Sequence, residues 1–242
     1  MKILFSPSKG MKYKNEFSNF KEEIPFKEKT EEILKKLKIL DIQEVGKILK
    51  IKENLLVETL NNIHSYNDLK LSNAISLYDG VSFRQLNLDS YTESNLKYIK
   101  NNVFIFSAFY GIVNGLTNIK PYRLDMTNKI LNENPYKFWK YSINDFLLNT
   151  LENSNDFYLN LASKEFSKII DKNIKVINIE FRQNSNDTLK NISTEAKKAR
   201  GLLLNYLIKN NICNLDQIKD FKESGYKYSN TYSNESTLFF IK

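Results

Sequence analysis

Histidine and cysteine are almost missing from this chain. Each occurs once, as His64 and Cys213. One of each excludes zinc fingers, iron–sulfur clusters and His-rich metal sites. Carboxylates alone remain for a hard cation, and no metal or other cofactor is expected. A lone cysteine makes no internal disulfide, which suits a reducing cytoplasm. No apolar run approaches the roughly 18 residues of a membrane helix, so no membrane partner is expected. The opening MKILFS is too short and too soon charged for a signal peptide. Glycine (seven) and proline (four) are scarce and gather into no linker. No repeat is visible, and the GxxxxGK[ST] of a P-loop is missing.

Arginine is also rare. Only Arg84, Arg123, Arg182 and Arg200 stand among 36 basic residues, in a chain of net charge +8 and pI near 9.2. Lysine, isoleucine and asparagine are abundant, as AT-rich coding would produce. The informative property is therefore where charge clusters, not its total.

The apolar share is 41% and the aromatic share 13% over 242 residues, enough for one sizeable core. KILF (2–5) reads as a buried strand that SPSKG breaks. Pro25 precedes a run with Ile33, Leu34, Leu37 and Leu40 at helical spacing. Asp41 and Glu44 form a capping-box pair. Leu55, Leu56, Leu60 and Ile63 continue the pattern, with His64 late in that helix in a capping or packing role. A fourth helix is expected over about 67–77. VFIFS (103–107) is a strand, and 134–151 a helix opened by Pro135. Residues 156–163 are a strand running into a helix that Ser163 can cap. Residues 175–181 and 187–192 form a hairpin around RQNSN. A helix over 194–210, capped by Ser193 or Thr194, and a short one near 214–221 precede two last strands, YKY and TLFFI. This order, without a regular βαβ rhythm, predicts one mixed α+β domain.

Four stretches carry chemistry. In AKKARG (196–201), Lys197 and Arg200 share a helix flank, and Lys198 points about a third of a turn away. Lysines near a helix N-terminus oppose its dipole, by ~0.3–1 kcal/mol each. Solvated surface lysines tolerate that; an anion held jointly by amides and cations would explain it. In SPSKG, the small Ser6 and Ser8 beside Lys9 can turn backbone amides toward an anion. Lys2, Lys9, Lys12 and Lys14 crowd the same start without an acidic residue among them. In KPYRLDM, Arg123 offers its fork to a phosphate or to a carboxylate such as Asp125. In NLASKEF, Asn160 and Ser163 lie where a strand meets a helix, and Glu165 follows. Asp125 and Glu165 are possible acid–base partners.

ILFSPSKGM, YDGVSFRQL, FYGIV, KPYRLDM, YKFW, NLASKEF and AKKARGLL occur in this order, followed by FKESGYKY. In these blocks the chain resembles the YaaA family of peroxide stress proteins over essentially its whole length. It departs at IVNGLTNI, where the family has an Arg-Pro pair and an acidic residue. It departs again at Thr127, a family glycine, and at Thr194-Glu195, a family aromatic pair. The resemblance implies a cytoplasmic bacterial protein of one compact α+β domain, 1–242. A mixed β-sheet would be surrounded by helices, with an N-terminal helical segment (about 26–77) and a basic cleft. It further implies DNA binding, restraint of iron during hydrogen peroxide stress, and a helix-hairpin-helix-like element. The turns near Gly46 or Lys52 are its place here, although paired glycines are missing.

The resulting expectation is a protein that grips DNA phosphates with little sequence preference through Lys9, Arg123, Lys197, Lys198 and Arg200. Ser6, Ser8, Asn160 and Ser163 would support them. A rival expectation is an enzyme on a nucleotide or nucleobase, with Asp125 and Glu165 moving protons. With one histidine and one cysteine the chain is no strong iron buffer, so protection would be indirect or come from occupying DNA.

Overall fold

A computed structural model describes residues 1–14, 17, 20, 22–131, 133–153, 155–185 and 188–242. The chain opens with the buried strand β1 (Lys2–Phe5). Three helices follow: α1 (Lys27–Lys38), α2 (Ile42–Leu49) and α3 (Glu53–His64). Of the expected apolar stripes, Ile33, Leu34, Leu37, Val45, Leu49 and Ile63 are buried, Leu40, Ile48, Leu56 and Leu60 are half-buried, and Leu55 is exposed. Asp41 and Glu44 close a complete capping box on α2. His64 ends α3 and is exposed. The turn between α2 and α3 places Lys50 (φ 56) and Glu53 (φ 53) in left-handed backbone without glycine.

The helix expected over 67–77 does not form as one piece. Tyr66–Asp68 makes a single 3₁₀ turn, followed by β2 (Ser72–Asn73) and the one-turn α4 (Ala74–Leu77). The reason is Asn73, whose buried amide donates to Phe20, Leu116 and Asn118 and accepts from the Phe17 amide. That side chain recruits partners far along the chain, which a continuous helix would not allow.

Next come α5 (Glu93–Asn102), β3 (Val103–Ser107), β4 (Gly111–Asn114) and β5 (Asn118–Ile119). Gly111 adopts φ +78, and a side chain there would meet the Trp139 ring at 2.8 Å. Trp139 belongs to α6 (Pro135–Thr150), which begins at Pro135 as expected. Then come β6 (Tyr158–Asn160), the one-turn α7 (Lys164–Ser167), β7 (Val176–Ser185) and β8 (Thr188–Lys190). The hairpin of β7 and β8 is present, but β7 absorbs most of RQNSN. Its loop, residues 186 and 187, lies outside the described residues. Last are α8 (Ser193–Lys209), α9 (Leu215–Lys219), β9 (Lys227–Asn234) and β10 (Thr237–Ile241).

Eight strands form one sheet, in the order β4-β3-β1-β6-β7-β10-β9, with β8 paired to β7. The expected mixed sheet is there, but its middle is more regular than the sequence suggested. β3, β1, β6, β7 and β10 are mutually parallel, and the antiparallel β4 and β9 close the two ends. Parallel strands buried on both faces read as continuous apolar runs, which KILF and VFIFS are. Among the described residues no helix is long and apolar enough to cross a membrane.

Chain direction across this sheet matters for function. From β1 the chain goes on to β3, on one side; from β6 it goes on to β7, on the other. The carboxyl ends of β1 and β6 therefore lie side by side where the winding reverses. In open parallel sheets such a reversal leaves a crevice that ligands occupy.

Candidate functional site

A cleft of about 380 Å³ opens at that reversal. Residues following β1 (Ser6, Pro7, Ser8, Lys9) form one lip, and residues following β6 (Leu161, Ser163, Glu165) form the other. Arg123 and Asp125 close one side, and Lys197 and Arg200 of α8 another. Four sequence blocks separated by up to nearly the length of the chain thus converge on one cavity.

The lips are pinned to each other. Ser163 occupies the N-cap position of α7, yet its side chain makes no capping bond. Its amide instead donates to Ser6 Oγ at 2.8 Å, and the two hydroxyls lie 3.3 Å apart. Ser8 Oγ accepts from the Gly10 amide at 3.2 Å. Asn160 does not line the cleft. It is buried in the sheet, donates to Asn178 and accepts from the Ala162 amide at 2.9 Å, so it shapes the turn that carries Ser163.

Close backbone approach assembles the third side. Gly201 of α8 lies against the Ser82 carbonyl, where a Cβ would sit 2.1 Å from that oxygen. A Cβ at Gly80 would sit 2.3 Å from Ser8 Oγ. Ser82 Oγ donates to the Lys197 carbonyl at 2.8 Å. The Gly80–Ser82 segment is thereby wedged between the first lip and α8. Sequence reasoning quoted YDGVSFRQL and drew no site residue from it. The scarce glycine was the available signal.

α8 begins at Ser193, with Ile192 at the N-cap and no side-chain cap, so neither Ser193 nor Thr194 plays the expected part. Glu195 supplies the acidic residue of the first turn. Lys197 stands in the second turn, where the dipole's opposition has largely decayed. Lys197 and Arg200 face the cleft, whereas Lys198 is exposed and does not line it.

The charges are not equivalent. Lys9 binds Asp125 at 2.6 Å and is neutralised. The lysine run around it is largely paired as well, Lys14 with Asp79 and Lys2 with Glu152. Among the described residues, Arg123, Lys197 and Arg200 have no carboxylate within ion-pair distance. Arg123 reaches only the Lys9 carbonyl, at 3.5 Å. Arg200 Nε is buried and makes no hydrogen bond among the described residues. Burial lowers the pKa of its guanidinium and Arg182 adds repulsion, while Glu180 opposes both. Glu180 itself is held by Arg182 at 3.0 Å. A buried guanidinium nitrogen without an acceptor carries a desolvation cost that an anion would offset.

Glu165 is raised above the usual glutamate range, first by burial and then by Asp125, against the pull of Lys9, Lys168 and Lys197. Tyr122, at the cleft floor, is pushed up to about 12 by burial although Ser107 and Tyr78 hydrogen-bond it. It stays neutral at physiological pH. Apolar side chains such as Leu49, Leu124 and Phe166 complete the wall, and Asn128 ties it to α2 through the Ile48 carbonyl. Beyond that tie a shallow groove carries Lys47, Lys50 and Lys129. Among the described residues no group of three or more His, Cys, Asp or Glu side chains gathers to hold a metal ion.

Comparison with known proteins is consistent along the chain. The family model described as peroxide stress protein YaaA matches residues 1–232. A UPF0246 protein of Fusobacterium nucleatum is 45% identical, over 100% of this chain and 99% of its own length. UPF0246 proteins of Clostridioides difficile and Crocosphaera subtropica are 34% and 33% identical, each over the whole of both chains.

Proposed function

Because the chain belongs to the peroxide stress protein YaaA family, we propose that it is a cytoplasmic DNA-binding protein of the hydrogen peroxide response. The observation that carries this reading is the convergence of Arg123, Lys197 and Arg200 on one cleft, with no carboxylate within ion-pair distance of them among the described residues. Unpaired cations gathered from distant segments suit a polyanion, whose phosphates release counterions when neutralised. Lys9 can join after exchanging Asp125 for phosphate, and Lys198 extends the contact along exposed α8. Ser6, Ser8, Asn160 and Ser163 hold the lips in place. Contacts of this kind are to backbone rather than base edges, so sequence preference is slight.

The groove at Lys47, Lys50 and Lys129 supplies a second set of phosphate contacts. It flanks the α2–α3 turn, the segment suggested as helix-hairpin-helix-like. There the left-handed Lys50 and Glu53 give the turn backbone geometry for which glycine is the usual residue. Restraint of iron chemistry follows from coverage. Iron bound to DNA generates hydroxyl radicals beside the bases, and a protein occupying the backbone displaces it. Saturating protein is expected to reduce strand breakage by ferrous iron and peroxide in vitro; unchanged breakage refutes that step.

The main test is the salt dependence of duplex binding. K197A/K198A/R200A is expected to flatten the slope of log K against log salt by about 0.9 for each lost phosphate contact. A slope equal to that of the unaltered protein refutes the assignment.

A further inference from the structure

The cleft has a property that phosphate gripping does not require. Its cations stand around an apolar interior made by Leu49, Val81, Leu124, Leu161 and Phe166, with Tyr122 neutral at the floor. A surface that tracks a duplex backbone needs charge and amides, not a greasy hollow. The volume, about 380 Å³, falls within the roughly 300–1,000 Å³ of small-molecule sites. The position, between the carboxyl ends of β1 and β6 at the winding reversal, is where parallel sheets bind nucleotides.

From these observations we infer that the cleft takes a single nucleotide unit, its planar base against the apolar wall and its phosphate at Lys197, Arg200 and Arg123. Arg200 lines the cleft, and its buried Nε makes no hydrogen bond among the described residues. Glu165 and Asp125 also line the cleft, and Glu165, which has no ion pair among the described residues, offers carboxylate oxygens to base or sugar donors. The unit can be a free mononucleotide or a nucleotide at the end of a strand or out of its stack; both present the same base and phosphate. The inference rests on the cavity and not on duplex binding.

Calorimetric titration of the full chain tests it, using a 5′-deoxymononucleotide, the matching nucleoside, inorganic phosphate, a blunt duplex, and the same duplex with an unpaired 5′-phosphorylated end. The mononucleotide is expected to bind about tenfold more tightly than nucleoside or phosphate. V81W places a large ring at the mouth from a position already 38% exposed. It is expected to abolish mononucleotide binding at unchanged Tm. K197E, on the exposed helix flank, gives the same loss should V81W misfold. A preference for the unpaired end over the blunt duplex assigns the unit to a strand; equal duplex affinities beside tight mononucleotide binding assign it to the free pool. Inorganic phosphate binding as tightly as mononucleotide overturns the inference, as does mononucleotide affinity unaffected by V81W and K197E. Loss of duplex binding alone removes the reading of the previous subsection and leaves this one standing.

Discussion

Two basic clusters lie a few residues apart in this molecule, and they are built to opposite ends. Around Asp79, Arg84 donates through Nε and Nη2 at 3.2 and 3.0 Å, and Lys14 at 2.9 Å. Two cations share one carboxylate, and its pKa is held at about 2, first by the Arg84 bonds and then by Lys14. In the cleft the proportion is reversed. Among the described residues Arg123, Lys197 and Arg200 have no carboxylate within ion-pair distance, and one of the two carboxylates lining the cleft is committed to Lys9. The first arrangement ties a loop down. The second leaves Lys197 and Arg200 only longer-range attraction, to Glu165 and Glu180 respectively. Arginine content and net charge distinguish neither; partner geometry does.

The comparison breaks most completely where both clusters lose their common frame. G201V pushes α8 off the Ser82 carbonyl and the Gly80–Ser82 segment with it. Such overpacking is expected to cost about 3 kcal/mol in urea unfolding, with loss of duplex affinity. D79A is expected to cost about 1 kcal/mol, as for a well-formed but partly exposed ion pair, with little change in binding. The pH dependence has a definite sign. A carboxyl depressed in the folded state adds stability above its unfolded pKa near 3.8, and that stability is lost as pH falls toward about 2. D79N should decline less steeply than the unaltered protein across that interval; Glu93, Asp156 and Asp216, also depressed, keep a residual slope.

K50G relieves left-handed strain and is expected to raise stability by about 0.5–1 kcal/mol. It also removes a cation of the groove, so duplex affinity should fall as stability rises, measured on the same preparation. The smallest stability effect belongs to K197A, within about 0.5 kcal/mol, as for an exposed side chain without partners. A clear loss of Tm in K197A would show that the cleft cations are structural, like those around Asp79.

Much of the frame was legible from local pattern. The α2 capping box, the apolar stripe of α1, Pro135 at the head of α6 and the KILF and VFIFS strands are all short-range signals, and they appear where spacing put them; the α3 stripe is only partly buried, with Leu55 exposed. The parallel sheet was not legible, because its strands pair across intervals such as Ile3 to Val103 and Phe239 to Glu180. The edge strand β4 and helix α5 were passed over although their signals are local, the Thr92–Asn95 capping box of α5 and the close β3–β4 hairpin. Of the cleft, nine residues named from the sequence do line it. Asn160 and Lys198 do not, because one is turned into the sheet and the other around the helix. Ser163 and Ser193 stood where capping residues stand. Ser163 serves instead as a tether to Ser6, a contact no local rule contains. The walls at Gly80, Ser82 and Asn128 went unseen because they depend on contacts between distant backbones.

The winding reversal has a consequence for biosynthesis. β4, β3 and β1 come from the first half of the chain, and β6, β7, β10 and β9 from the second. A nascent polypeptide that has left the ribosome only as far as α6 owns one bank of the crevice and a bare edge on β1. Translation delivers the opposite bank last, so a truncated product holds only one lip of the cleft.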